Sequence, residues 1–126
     1  MPLTGIQSVS VYVNDIEQAV DFYTNKLGFD KTEDAPLFEG GDLRWVTVAP
    51  PGSNTQIVLV KGYADWSPER VGKFSGFVFN VDNIVDTFNQ LEARGVEIVE
   101  KPSKQMWGMQ AQFKDQDGNT FVVVGH

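Results

Sequence analysis

The chain has no cysteine, and its one histidine, His126, is the last of its 126 residues. Disulfides, cysteine nucleophiles, thiolate zinc sites and iron–sulfur clusters are therefore excluded together. No two-histidine metal site can be built within one chain, and no interior histidine can serve as a general base. Basic residues are also scarce. Lys and Arg total 10 against 17 Asp and Glu, a net charge of −7. A nucleic-acid partner needs a basic footprint to neutralise phosphates, so none is expected. Long apolar runs are missing too. Stretches such as Phe121 to Val124 are far too short to span a bilayer, and no membrane partner is expected. Met1 to Val13 shows no basic region followed by an apolar run, so a cytoplasmic location is the default expectation. Phosphate-loop, dinucleotide-fold, nucleophile-elbow and zincin motifs do not occur.

What is there reads as one ordinary domain of 126 residues, 41% apolar and 21% charged. Val9, Val11 and Val13 alternate with Ser8, Ser10 and Tyr12, the period of a half-buried strand. Asn14 and Asp15 are helix N-cap candidates, and Glu17 three after Asn14 suggests a capping box. Ile16, Val20, Tyr23 and Leu27 recur at helical spacing, and Gly28 suits the helix end. Phe29 opens the next extended segment. Asp30 to Gly41 reads as irregular.

The same order of signals returns later. Phe77, Phe79 and Val81 alternate with Gly76, Val78 and Asn80; Asp82 and Asn83 can cap; Ile84, Phe88 and Leu91 are helical; Gly95 ends the helix. Trp45 to Val48, a turn, and Ile57 to Val60 correspond to Met109 to Phe113, a turn, and Phe121 to Val124. Two copies of a β-α-β-β-β unit fill the chain, and a single copy cannot bury both faces of its sheet. Module 1 spans 1–61, a linker 62–74 and module 2 75–126 of a single domain 1–126.

These residues resemble a known family. Val13-Asn14-Asp15, Phe22-Tyr23 and Leu27-Gly28-Phe29 look like the opening module of the vicinal oxygen chelate superfamily, which holds glyoxalases, bleomycin-resistance proteins and extradiol dioxygenases. Val81-Asp82, Arg94-Gly95-Val96, Trp107-Gly108 and Asp115-Gln116-Asp117-Gly118-Asn119 look like its closing module, with Gln116 where proline is usual. The resemblance implies an α+β fold: two tandem βαβββ modules forming an incomplete eight-stranded barrel around a cavity, helices outside. Ser8, Ser10 and Tyr12 would then face the cavity, as would Gly76, Val78 and Asn80.

Metal-dependent members place one ligand on each of four strands. Those positions fall on Ser8, Val58, Gly76 and Val122. A divalent ion needs nitrogen or oxygen donors converging at ~2.0–2.2 Å, and this set offers one neutral hydroxyl. Neither a metal nor another cofactor is therefore expected. The resemblance then points to the family's binding proteins, which sequester an antibiotic without chemistry. The alternative is a glyoxalase-like lyase, isomerase or dioxygenase with an atypical site.

The expected ligand-binding residues are Ser8, Tyr12, Gln56, Val58, Gly76, Asn80, Trp107, Gln110, Gln112 and Val122, with no lysine or arginine among the inward positions. Neutral hydrogen-bonding groups among apolar walls suit a small organic ligand, planar or moderately apolar. Asp115 to Asn119 slightly resembles a calcium loop, but its glycine is fourth and no glutamate stands twelfth, so a β-turn is expected. Glu33, Asp34, Glu39, Asp42, Asp65 and Glu69 read as solvated loop charges, or as an acidic rim. A homodimer is expected, since two-fold dimers are the commonest oligomers and Tyr63 and Trp66 would suit an interface.

Overall fold

The computed structural model describes residues 2–126. Hydrogen bonding divides eight strands into two four-stranded sheets, each within its own compact unit. The fold is α+β, and each unit repeats the order β-α-β-β-β. The first unit ends at Arg70 and the second begins at Val71.

In the first unit, strand β1 (Ser8–Tyr12) leads to helix α1 (Ile16–Asp21), then β2 (Asp30–Pro36), β3 (Arg44–Ala49) and β4 (Gln56–Val60). The sheet order is β1-β4-β3-β2, with β1 and β4 parallel and the rest antiparallel. Val11, Val13, Val46, Val48, Ile57 and Leu59 are buried, as is Ala19 of α1. Apolar burial of this kind stabilises by about 1.5–3 kcal/mol per large aliphatic side chain. The N-cap is Asp15, whose carboxylate accepts from the Gln18 N–H at 3.0 Å. Glu17 closes no capping box with Asn14. It pairs instead with Arg44, which also holds Asp34 at 2.7 Å.

The helix does not run uniformly to Leu27. After Asp21 it widens into a π turn over Phe22–Lys26, where the Leu27 N–H reaches back to the Phe22 carbonyl. A wider turn changes which neighbours share a face. Sequence-adjacent Phe22 and Tyr23 are both buried, with rings edge-to-face at 5.4 Å. Gly28 follows at φ 75°, as the sequence predicts for the residue ending a helix.

The second unit runs β5 (Phe74–Val81), α2 (Ile84–Ala93), β6 (Glu97–Gln105), β7 (Gly108–Lys114) and β8 (Thr120–Gly125). Its order, β5-β8-β7-β6, repeats the first unit's, with β5 and β8 parallel. Asn83 caps α2: its carbonyl accepts from the Asp86 N–H and its amide donates to the Asp86 carboxylate. Ile84, Phe88 and Leu91 are buried. Phe77, Phe79, Phe113 and Phe121 form an aromatic cluster with centroids 5.3–6.2 Å apart. Phe88 of α2 joins it through Phe113 at 6.2 Å.

The division between the units, after Arg70, falls inside the expected linker 62–74, which contains a 3-10 turn at Pro68–Arg70; β5 begins one residue earlier than expected, at Phe74. Another sequence expectation needs correction. Asp30 to Pro36 is a strand, although every residue of it is exposed. Glu33 and Asp34 thus lie on an edge strand and not in a loop. Asp34 also holds Lys31 at 2.9 Å, and the hydrogen bonds from Arg44 and Lys31 lower its pKa.

The expected β-turn at Asp115 to Asn119 is present, and its polar groups account for the buried Asp115 and Asn119. Asp115 accepts from the N–H groups of Asp117 and Asn119 and from the Asn119 amide. The Asn119 carbonyl in turn accepts from the N–H groups of Gly72 and Lys73, fastening the start of β5 to the β7–β8 turn. No helix among the described residues is long and apolar enough to cross a membrane.

Candidate functional site

Paired residues on neighbouring strands share a face, so register fixes what each sheet presents opposite its helix. In the second unit three rows cross that face. Asn80, Val124, Gln110 and Ser103 form one; Val78, Val122, Gln112 and Glu100 the next; Phe74, Thr120, Lys114 and Glu97 the third. Asn80 is exposed, Val78 is 51% exposed, and Val122, Val124, Gln110 and Gln112 are half-buried. Four of the expected binding residues, Asn80, Gln110, Gln112 and Val122, thus share one face.

Three charged groups on this face went unforeseen: Glu100, and the pair Lys114 and Glu97. The first is Glu100, whose Oε1 accepts from the Gln110 amide at 3.0 Å and the Gln112 amide at 3.4 Å. Strict alternation from Ile98, which pairs with Phe113 on the helix side, would turn Glu100 away. A bulge between Ile98 and Glu100 reverses the parity and brings Glu100 opposite Gln112. The second is Lys114, which corrects the expectation of no inward lysine. It is paired with Glu97 at 3.4 Å.

Gly76 sits in another irregularity. Between Phe74 and Val78 the register shifts, Gly76 adopts φ 85°, and the Ser75 hydroxyl donates to the Phe77 carbonyl at 3.2 Å. Nothing lies within 4 Å of the place a Cβ would occupy. Trp107 stands with Met106 in the turn joining β6 to β7. The two are 65% and 100% exposed, at the tip of the hairpin and outside the paired rows.

In the first unit, Ser8 pairs with Gln56, Ser10 with Val58 and Tyr12 with Val60, and Val58 continues to Thr47. Ser8, Tyr12, Gln56 and Val58 therefore share one face of that sheet. A bulge between Lys31 and Glu33 carries Thr32 to the Thr47 hydroxyl at 2.6 Å. Thr32 donates onward to the Gln56 carbonyl at 2.9 Å, so Thr47 donates to Thr32. Val58 and Val60, expected as cavity walls, are both only 3% exposed. They back the face but offer a ligand almost no surface.

Trp66 is engaged inside the first unit. The Trp66 ring N–H donates to the Val13 carbonyl at 2.9 Å, and the Lys61 ammonium lies 4.8 Å from its ring centre. The Tyr63 hydroxyl is buried without a hydrogen-bond partner among the described residues, and burial pushes its pKa up.

Of the four positions that the resemblance assigns to metal ligands, Val58 and Val122 carry hydrocarbon, Gly76 no side chain and Ser8 a neutral hydroxyl. That donor set does not fit a divalent ion. Among the described residues, no group of three or more His, Cys, Asp or Glu side chains is placed to hold one.

The family model for the glyoxalase/bleomycin resistance protein/dioxygenase superfamily matches residues 5–123. The uncharacterised protein YetH of Bacillus subtilis (strain 168) is 36% identical over 118 residues, covering 94% of this chain and 95% of its own. Among solved structures, TnmS3, an antibiotic binding protein from Streptomyces sp. CB03234, superposes with a TM-score of 0.83 at 36% identity, over 99% of this chain and 98% of that one. A member of the same superfamily from Sphaerobacter thermophilus superposes at 0.86 with 35% identity, over 98% of both chains.

Proposed function

The chain belongs to the glyoxalase/bleomycin resistance protein/dioxygenase superfamily, and from that premise we propose that it is a metal-independent small-molecule-binding protein of the drug-sequestering type. The observation that carries this reading is the residue set Ser8, Val58, Gly76 and Val122 at the ligand positions of the metal-dependent members. Catalysis in those members rests on a metal that polarises substrate oxygens. The one neutral hydroxyl in this set, that of Ser8, is not enough to hold one.

Affinity must then come from apolar burial and a few oriented hydrogen bonds. Val78, Val122 and Val124 supply the first, and Asn80, Gln110 and Gln112 the second. Likeness to an antibiotic binding protein supports the same reading.

A thermal-shift screen of organic compounds, run with divalent metal and with chelator, tests it. Ligands that bind the native state raise the melting temperature by mass action. Hits of equal size under both conditions are expected, with substoichiometric zinc, nickel, iron and manganese in the purified protein. One tightly held metal equivalent, whose removal abolishes every hit, would overturn the reading.

A further inference from the structure

We infer that the ligand of the second unit's open face is an organic amine in its protonated form, and that Glu100 is the residue that selects it. This rests on the binding reading above and adds a charge to the ligand.

The argument begins with where the hydrogen-bond donors go. The amide N–H groups of Gln110 and Gln112 both point at one oxygen of Glu100, at 3.0 and 3.4 Å. The other carboxylate oxygen, Oε2, accepts from no described side chain or backbone group. Each glutamine that donates to Glu100 leaves its own carbonyl oxygen as an acceptor. The centre of the face therefore presents acceptors: Glu100 Oε2 and two amide carbonyls, with the Asn80 amide in the neighbouring row.

The charge has the same sense. Lys114 is the one cation in the three rows, and Glu97 takes it at 3.4 Å. Glu100 is left as the carboxylate without a cationic partner, on a chain of net charge −7. An ammonium group is all donors and no acceptor, with geometry to bridge several oxygens, and charge-assisted bonds are the strong ones. Val78, Val122 and Val124 give the hydrocarbon part of such a ligand its surface. A carboxylate or phosphate ligand would meet repulsion at Glu100 and find no free cation.

Two probes with the same ring separate charge from shape: 9-aminoacridine, protonated near neutral pH, and acridine, neutral there. Fluorescence titration of the full chain should give about tenfold tighter binding of 9-aminoacridine, falling as salt is raised, while acridine responds little to salt. Glu100→Gln should weaken 9-aminoacridine about tenfold and leave acridine within about twofold. Glu100→Asp, which keeps the charge, should retain most of the preference, and an unchanged melting temperature shows that both variants fold. Equal affinity of the wild type for both probes, or a cation preference that survives Glu100→Gln, overturns the role of Glu100. Binding of neither probe overturns the amine inference. If neutral compounds still give thermal shifts, the small-molecule reading stands without it; if no compound does, that reading has failed separately.

Discussion

Asn119 satisfies the backbone of two segments through one side chain. Its carbonyl holds the Gly72 and Lys73 N–H groups at 2.8 and 3.3 Å, and its amide donates to Asp115 at 2.9 Å. Truncation would leave partly buried donors unpaired, at about 1–3 kcal/mol for each group that water does not reach. Asn119→Ala is therefore expected to lower the unfolding free energy by about 2–3 kcal/mol, read as a lower urea midpoint at unchanged slope. A change under about 0.5 kcal/mol would show that water replaces the amide without loss. The composition of this turn was legible in the sequence, because Asp, Gly and Asn at those positions specify a turn. Glu100 was not. Its face depends on a bulge, and a period-two reading has no means of counting an extra residue in one strand.

The alternating valines of β1 and the helical apolar spacing of α2 were readable because each strand or helix repeats its own period. The π turn after α1 was not, since Phe22 and Tyr23 are apolar neighbours that an ordinary helix could bury as well, and the pattern carries no sign of one wider turn. β2 escaped notice for a different reason. Its charged residues Asp30, Lys31, Glu33 and Asp34, exposed throughout, look like a loop, yet charge and a bulge are what protect a sheet edge from pairing with other chains. In β5 the irregularity at Gly76 gives a separate expectation. The site is open, so bulk alone would be harmless, but φ 85° is unfavourable for any residue with a Cβ. Gly76→Ala should cost about 1–2 kcal/mol through this conformation. A circular-dichroism melt that does not move would mean that the strand relaxes to negative φ.

At the scale of the whole molecule, the repeat was legible because strand order, helix position and stop glycine recur together. The bulges recur as well. Lys31/Glu33 and Ile98/Glu100 interrupt the outer strand of each sheet at corresponding places. The expected linker, marked by Gly62, Pro68 and Gly72, spans the division after Arg70, and within it Trp66 is tied by its ring N–H to Val13. That engagement weakens Trp66 as support for an interface between copies. We still propose a homodimer, now because the edge strands β1 and β5 carry no charged side chain to discourage pairing. Sedimentation at micromolar concentration should give twice the 14.0 kDa monomer mass. The monomer alone would exclude a stable dimer.

In each sheet the first strand pairs in parallel with the last, β1 with β4 and β5 with β8, while the other two are made in between. On the ribosome this sets a timetable. The first sheet has all its strands once β4 has emerged, before any strand of the second has left the exit tunnel. Phe77 and Phe79 then leave the exit tunnel long before Phe121 and Val123, the neighbours that cover them. At about 5–20 residues per second, the aromatic side of β5 stays without its partner strand for a few seconds in every round of synthesis. That interval, rather than the finished fold, is where a chaperone would find this chain.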